Sequence, residues 1–464
     1  MSIRSHGLHT ARTEALRVLL AVDRDGAYAN LALQASAADH PLGPKDAALL
    51  TELVYGTLRW QNTLDWVIDH YSKTPVARMN QIVRLIVRMG AYQLLFLERV
   101  PAAAACNEAV ELAKAWKLGG LAGFVNGLLR NIARRQTAID FPALDAGPVL
   151  HISVKYSHPA WLVRRWLKRY GPEETIAFCR ANNEPPPVVL RCNTLRIEPE
   201  ALLRRLEDEG VAAVPSPLIP EGLRLAQHAM LKNLPSFRSG CFTVQDESSM
   251  LASIVLQPEA GSLVVDACAG PGGKTTHLAQ IMKNSGKLLA FDVHEHRLRL
   301  IRDACRRLGI TIVSTCLQDA ADPPQELMGQ VDYLLVDAPC SGLGVIRRRP
   351  DLRWRVQEQD LPAHTRQQQQ ILAGASRCLK PGGVMLYSTC SSEPEENGEV
   401  VAAFLNSHDH WQAQDITTLV PPALLRFADD CLMAERGCLQ LLPHRHGTDG
   451  FFLAALKKTT ESRG

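Results

Sequence analysis

The stretch Leu263-Val264-Val265-Asp266-Ala267-Cys268-Ala269-Gly270-Pro271-Gly272-Gly273-Lys274-Thr275 decides the fold of the second half of this chain. A short apolar run from Leu263 to Ala267 reads as a strand. A turn with three glycines follows, and a helix is expected from near Lys274. Glycine permits positive φ and close approach of the backbone to a ligand. Working outward, Lys287 to Asp292, Thr311 to Cys316, Val331 to Ala338 and Gly383 to Thr389 are also short apolar runs, most of them separated by helical stretches. That alternation predicts an α/β fold with a parallel sheet covered on both faces. Ligands of such sheets sit at the carboxyl ends of the strands.

The turn can be compared with known phosphate-binding loops. A P-loop needs glycine at position 268, where this chain has Cys268. A hydride-transfer fingerprint needs a third glycine where Thr275 stands. Asp292 ends the next strand about 20 residues downstream, which suits hydrogen bonding to a ribose diol. The turn alone fits a dinucleotide or S-adenosyl-L-methionine equally well.

Two cysteines lie at later strand ends. Cys340 falls in Val336-Asp337-Ala338-Pro339-Cys340-Ser341-Gly342, and Cys390 in Tyr387-Ser388-Thr389-Cys390-Ser391-Ser392. A lone cysteine there is usually a small buried hydrophobe. A nucleotide-type loop with two such cysteines suggests covalent chemistry on an electrophilic ring. Together these segments resemble the RNA 5-methylcytosine methyltransferases of the RsmB/Nop2/Sun family. The resemblance implies a Rossmann-like domain dependent on S-adenosyl-L-methionine. It implies cofactor contacts from Cys268, Ala269, Gly270, Pro271, Gly272, Gly273, Lys274, Asp292, Asp319 and Asp337. Gly270 stands where the family more often has alanine. By the same resemblance Cys390 is the nucleophile, Cys340 assists product release, and Asp337 holds the edge of the base.

The chemistry requires such residues. C5 of cytosine is a poor nucleophile until a thiolate adds at C6, after which C5 can take a methyl group, lose its proton and release the sulfur. A thiolate needs a lowered pKa, and a helix expected from near Pro394 could supply it to Cys390. A DNA cytosine methyltransferase would instead place its nucleophile in the Pro-Cys motif.

Residues 1–142 read as successive amphipathic helices: Ala11 to Val22, Asp46 to Trp60, Asn62 to Tyr71, Gln81 to Phe96 and Asn107 to Trp116. Glu52-Leu53-Val54-Tyr55-Gly56 and Phe124-Val125-Asn126-Gly127-Leu128-Leu129-Arg130 resemble a NusB-like RNA-binding domain. Residues 143–240 form a basic helical linker, His158 to Tyr170, and a small α/β piece suited to orienting substrate. That piece has strands at Val188 to Asn193 and Gly222 to Leu225 and a helix at Pro199 to Glu209. Residues 241–464 form the catalytic domain. RNA contacts are expected from Arg164, Arg165, Lys168 and Arg169, and from Arg347, Arg348 and Arg349, which lie in an arginine run near Trp354. The closing strand, Asp449 to Ala454, matches the family's last motif.

Net charge is only +3, so an RNA surface must be a local patch. The 12 scattered cysteines include no Cys-x-x-Cys pair, which argues against a zinc site and a secreted disulfide scaffold. No metal, no membrane span and no signal peptide are expected, and a cytoplasmic monomer fits. The helical domain joined to this catalytic half points to the branch of the family acting on small-subunit (16S) ribosomal RNA. A transfer-RNA 5-methylcytosine methyltransferase and a non-catalytic RNA-binding assembly factor are the alternatives.

Overall fold

The computed structural model describes residues 9–135, 139–226 and 230–460, which fall into two compact units. The first unit holds residues 1–184 together with Ile346–Glu358. Its helices are α1 (Ala11–Asp25), α2 (Ala29–Asp39), α3 (Pro44–Arg59), α4 (Gln61–Tyr71), α5 (Gln81–Phe96), α6 (Ala102–Ala115), α7 (Ala122–Arg135), α8 (Pro148–Lys155) and α9 (Ala160–Asn183). Side-chain caps start two of them. Thr10 Oγ1 accepts from Thr13 N at 3.2 Å, and Asn80 Oδ1 accepts from Ile82 N at 3.0 Å. The apolar stripes meet in one core that includes Leu16, Leu53, Leu64, Ile86, Leu129 and Ile132, all fully buried. Each such side chain contributes roughly 1.5–3 kcal/mol relative to exposure. The basic stretch is helical as expected, but the helix runs on to Asn183 through a kink at Gly171, whose φ is 76°.

Compactness divides the chain after Glu184, whereas boundaries near 142 and 240 are expected from the sequence. By compactness the long basic helix groups with the helices before it. So does the arginine run. Arg353 is fully buried, and its guanidinium donates to the carbonyls of Arg59 (2.9 Å), Ser157 (2.7 Å) and Asn182 (3.2 Å) and to Asn183 Oδ1 (2.8 Å). Arg59 and Asn183 end α3 and α9, and Ser157 follows α8. Carbonyls at helix C-termini lack intrahelical donors and carry partial negative charge, so a guanidinium fork suits them. Trp354 Nε1 donates to Leu58 O at 2.6 Å, and Arg355 donates to Gly26 O at 2.6 Å while lying over the Tyr28 ring.

The second unit holds residues Pro185–Val345 and Gln359–Gly464. It contains two sheets. The smaller is antiparallel, built of β1 (Val189–Cys192), β2 (Ala213–Pro215), β3 (Gly222–Leu225) and β4 (Phe242–Val244) in the order β2-β3-β1-β4. The larger comprises β5 (Leu263–Asp266), β6 (Lys287–Asp292), β7 (Val313–Leu317), β8 (Val331–Asp337), β9 (Leu379–Thr389), β10 (Trp411–Ala413), β11 (Cys438–Leu441) and β12 (Phe451–Lys458). Its order is β10-β12-β9-β8-β5-β6-β7, with β11 also paired to β12. Strands β5 to β9 are parallel, as expected, but β12 runs antiparallel to β9, so the sheet is mixed. The chain order reverses at β5, between β6 and β8, which opens a crevice at the strand ends there. No helix among the described residues is long and apolar enough to cross a membrane.

Candidate active site

The glycine turn runs from the end of β5 into a helix, Gly273–Ile281. Ala269 N donates to Phe291 O at 2.8 Å, and Gly270 N donates to Asp292 Oδ2 at 3.1 Å. His294 N donates to the other oxygen of Asp292 at 2.8 Å. These bonds lock the turn onto the end of β6. A Cβ on Gly270 would fall 2.4 Å from Asp292 Oδ2 and 2.7 Å from two carbons of Arg297, so this chain needs glycine there. Asp266, fully buried, accepts from Thr275 Oγ1 at 2.7 Å and leaves its other oxygen without a hydrogen-bond partner. Burial pushes its carboxyl up to about 7.

The charge around this turn selects among ligands. Burial raises the Cys268 thiol well above its ordinary value, and the carboxylates of Asp266, Asp337, Asp292 and Asp319 raise it further. A site surrounded by four acids repels a pyrophosphate and suits a ligand bearing a sulfonium and an ammonium. The orphaned oxygen of Asp266 can accept from an ammonium, and Asp292, with lone pairs to spare, can accept from ribose hydroxyls. Asp319 is exposed, with its Oδ1 accepting from Ala321 N at 2.9 Å. The residues present therefore fit S-adenosyl-L-methionine.

The two cysteines meet at the adjoining ends of β8 and β9, where Asp337 and Ser388 are paired in register. Cys340 Sγ and Cys390 Sγ are 3.2 Å apart. Asp337 is gripped by Lys274 Nζ at 2.7 Å and Ser388 Oγ at 2.9 Å. Burial alone would lower Lys274, but the Asp337 carboxylate more than offsets it, so the ammonium persists. The hydrogen bond from Cys340 lowers Cys390, assisted by Lys274 and opposed by burial, while that same bond and burial raise Cys340. The two thiols are thus shifted in opposite directions, Cys390 downward and Cys340 upward. The helix expected from near Pro394 is instead a single 3-10 turn, Pro394–Glu396, and the α-helix starts at Gly398. No α-helix terminus lies directly after Cys390, and the positive group acting on it is Lys274.

The cofactor turn, Asp292, Asp337 and both cysteines are brought together in the second unit. The seven basic residues lie in the first. Arg164 and Lys168 are exposed one turn apart on α9. Arg165 is half-buried and 3.4 Å from Glu358, and Arg169 stacks over Tyr170. The arginine run, from which RNA contacts are expected, packs within the first unit. Arg347 is buried, and its carbonyl accepts from Arg59 at 3.1 Å. Arg348 and Arg349 are half-buried, and Arg349 donates to Asn30 Oδ1 at 2.8 Å. Asp266 and Ser388 were not singled out by sequence. Asp266 closes the apolar run before the turn, a position that pointed to it.

A sheet order that reverses at β5 and a glycine turn ringed by carboxylates are those of an S-adenosyl-L-methionine-dependent methyltransferase of Rossmann-like fold. Family profiles divide the chain into a NusB family domain (residues 9–134), a ferredoxin-like domain of the RsmF/B type (158–231) and the "16S rRNA methyltransferase RsmB/F" domain (253–457). The "Probable ribosomal RNA small subunit methyltransferase B" of Bacillus subtilis is 37% identical over 451 residues, covering 97% of this chain and 99% of that protein. The "Ribosomal RNA small subunit methyltransferase B" of Escherichia coli is 37% identical over 418 residues, covering 89% and 91%. A crystal structure of a methyltransferase homolog from Pyrococcus horikoshii superposes with a TM-score of 0.58 at 31% identity, covering 67% of this chain and 99% of that one. The chain belongs to the RsmB/F family of 16S rRNA methyltransferases.

Proposed function

We propose that this chain methylates C5 of a cytosine in 16S ribosomal RNA through a covalent adduct on Cys390. The observation that carries this reading is the pair of sulfurs, 3.2 Å apart, beside the Lys274–Asp337 ion pair. The Cys390 thiolate adds to C6, and the C5–C6 π electrons become available at C5. Asp337 holds the edge of the base. S-adenosyl-L-methionine, when bound, supplies the methyl group. Loss of the C5 proton to a base then restores the double bond and breaks the C6–S bond, returning Cys390 as a thiolate. Cys340 assists that release, because its S–H is already placed to solvate the departing sulfur. The chain acts in the cytoplasm, in keeping with its free cysteines, and as a monomer. Exposed Arg164 and Lys168 meet the RNA backbone.

Bisulfite sequencing of 16S and transfer RNA from cells with and without this protein tests the substrate. Loss of one 16S signal is expected, and loss confined to transfer RNA overturns it. Separate cysteine variants test the mechanism. Cys390→Ala should abolish methyl transfer while cofactor binding persists. Cys340→Ala should accumulate a protein–RNA adduct on a denaturing gel. Adduct with Cys390→Ala and none with Cys340→Ala would reverse the two roles.

A further inference from the structure

We infer that Glu396 is the positioning residue of the cysteine pair, a buried carboxylate that ties the backbone on either side of both sulfurs and fixes their separation. This rests on the reading that Cys390 and Cys340 carry the chemistry. Glu396 is fully buried, and its carboxylate receives four donors. Oε1 accepts from Ser341 N at 2.8 Å and from Gln368 Nε2 at 3.1 Å. Oε2 accepts from Ser341 Oγ at 2.5 Å and from Ser391 Oγ. Ser341 follows Cys340 directly, and Ser391 follows Cys390. Gln368 also donates to Pro339 O at 3.0 Å, on the other side of Cys340.

The next residue completes the frame. Asn397 Nδ2 donates to Ser391 O at 3.0 Å, and its Oδ1 accepts from Thr389 Oγ1 at 2.5 Å. Each cysteine therefore has both chain neighbours held by Glu396–Asn397, directly or through Gln368. Tyr387 Oη donates to the Glu396 carbonyl at 2.6 Å, which anchors the frame to β9. No hydrogen bond joins Glu396 to either sulfur, so it acts through the loops.

The arrangement has an electrostatic side. A fixed negative charge near two thiols opposes ionisation of both, and Glu396 acts on Cys340 and Cys390 in that sense. Cys390 has Lys274 to counter it. The carboxylate therefore discourages a second thiolate while its bonds keep Cys340 within donating reach. A buried charge accepting this many bonds is stable where it sits, but removing it leaves several donors unpaired.

The test measures sulfur proximity without RNA. Diamide accepts two electrons and two protons from a pair of thiols, giving one disulfide and the hydrazine. Its rate of cross-linking Cys340 to Cys390, followed by peptide mapping of the full chain, reads their approach. Glu396→Ala should slow that cross-link and single-turnover methylation about a hundredfold, as expected for a displacement near 1 Å. Glu396→Gln keeps the volume and one acceptor and should recover part of both. Ser391→Ala, a small change, guards against simple misfolding and should slow both rates less than Glu396→Ala. Cofactor affinity by calorimetry should stay within about twofold of the parent, a change of less than 1 kcal/mol. Cross-linking at the parental rate in both Glu396 variants overturns the proposal, as does a parallel fall in cofactor affinity. Failure of the catalytic reading looks different: the cross-link would follow Glu396 while Cys390→Ala still methylated RNA.

Discussion

Lys274 Nζ lies 2.7 Å from Asp337 Oδ2, so a single ion pair joins the helix of the cofactor turn to the end of β8, beside Cys390. One lysine thereby serves two sites. It neutralises an acid in an acid-rich crevice, and it favours the thiolate. Its position just after the last glycine of the turn makes cofactor site and nucleophile a continuous structure.

Lys274→Met should therefore uncouple the two. Removing the ammonium takes away a contribution that lowers Cys390, so the pH at which Cys390 reacts half-maximally with iodoacetamide should move upward. At neutral pH the alkylation rate should fall about tenfold or more, because the thiolate is the reactive form. A profile that does not move would exclude the lysine from thiolate stabilisation.

Asp266→Asn should trade function for stability. In the folded protein this carboxyl titrates at about 7, against an ordinary 3.8. The native state therefore holds the extra proton between those values. The stabilising contribution is complete below pH 3.8 and is lost as pH rises through 7. Asparagine removes the buried charge, so the Tm difference between variant and parent, both cofactor-free, should grow from pH 5 to pH 8. Affinity for S-adenosyl-L-methionine should drop about tenfold, by the loss of a charged hydrogen bond. A Tm difference independent of pH would refute the buried titration.

Gly270→Ala should weaken cofactor binding. The added methyl would meet Asp292 Oδ2 and the Arg297 side chain. A shift of Asp292 breaks its bond to Gly270 N and misplaces a ribose acceptor. A loss of about tenfold is expected by calorimetry. Pairing the change with Arg297→Ala should recover part of it, and no recovery would place the clash with Asp292 alone.

Arg353→Met should destabilise the helical unit by about 3 kcal/mol, since it strands three helix-end carbonyls in the interior. Arg353→Lys should rescue poorly, because one ammonium cannot span the four acceptors the planar fork reaches. Thermal unfolding followed by circular dichroism reads the change. Cofactor affinity should be nearly unaffected, and a variant as stable as the parent would contradict the capping role.

Arg164→Gln and Lys168→Gln should each lower the salt slope of RNA binding by roughly 0.7–0.9 units, with little effect on Tm. Arg347→Gln should do the reverse, costing stability and leaving the slope unchanged. Filter binding across a salt series separates the two behaviours. Equal slope losses for all three would return the arginine run to the RNA surface.

How much of this was legible in the sequence depends on how local each signal is. The cofactor turn and the two cysteine motifs carry their information within a dozen residues, because a strand, a glycine turn and a helix start must be adjacent. Helix α2 was missed because Ala29–Asp39 is alanine-rich and offers little contrast between faces. The packing of the arginine run is not legible for the opposite reason. Its partners are carbonyls at residues 59, 157 and 182, and no window around position 353 contains them. Charge in a segment without periodicity looks solvated until the helix ends that need it are known. Glu396 has no legible role in the sequence, since its donors come from three separate segments.

The residence of Ile346–Glu358 among the first helices also sets an order of events during synthesis. A helical domain at the start of a chain can ordinarily finish folding as soon as it leaves the ribosome. Here the ends of α3 and α9 must wait, uncapped, until some 170 residues beyond Asn183 have been made and Arg353 emerges. Nascent chains halted before residue 346 should therefore be cut readily by protease near residues 59 and 183, and those extended beyond 358 should resist. A domain translated before the catalytic half would be completed only with it.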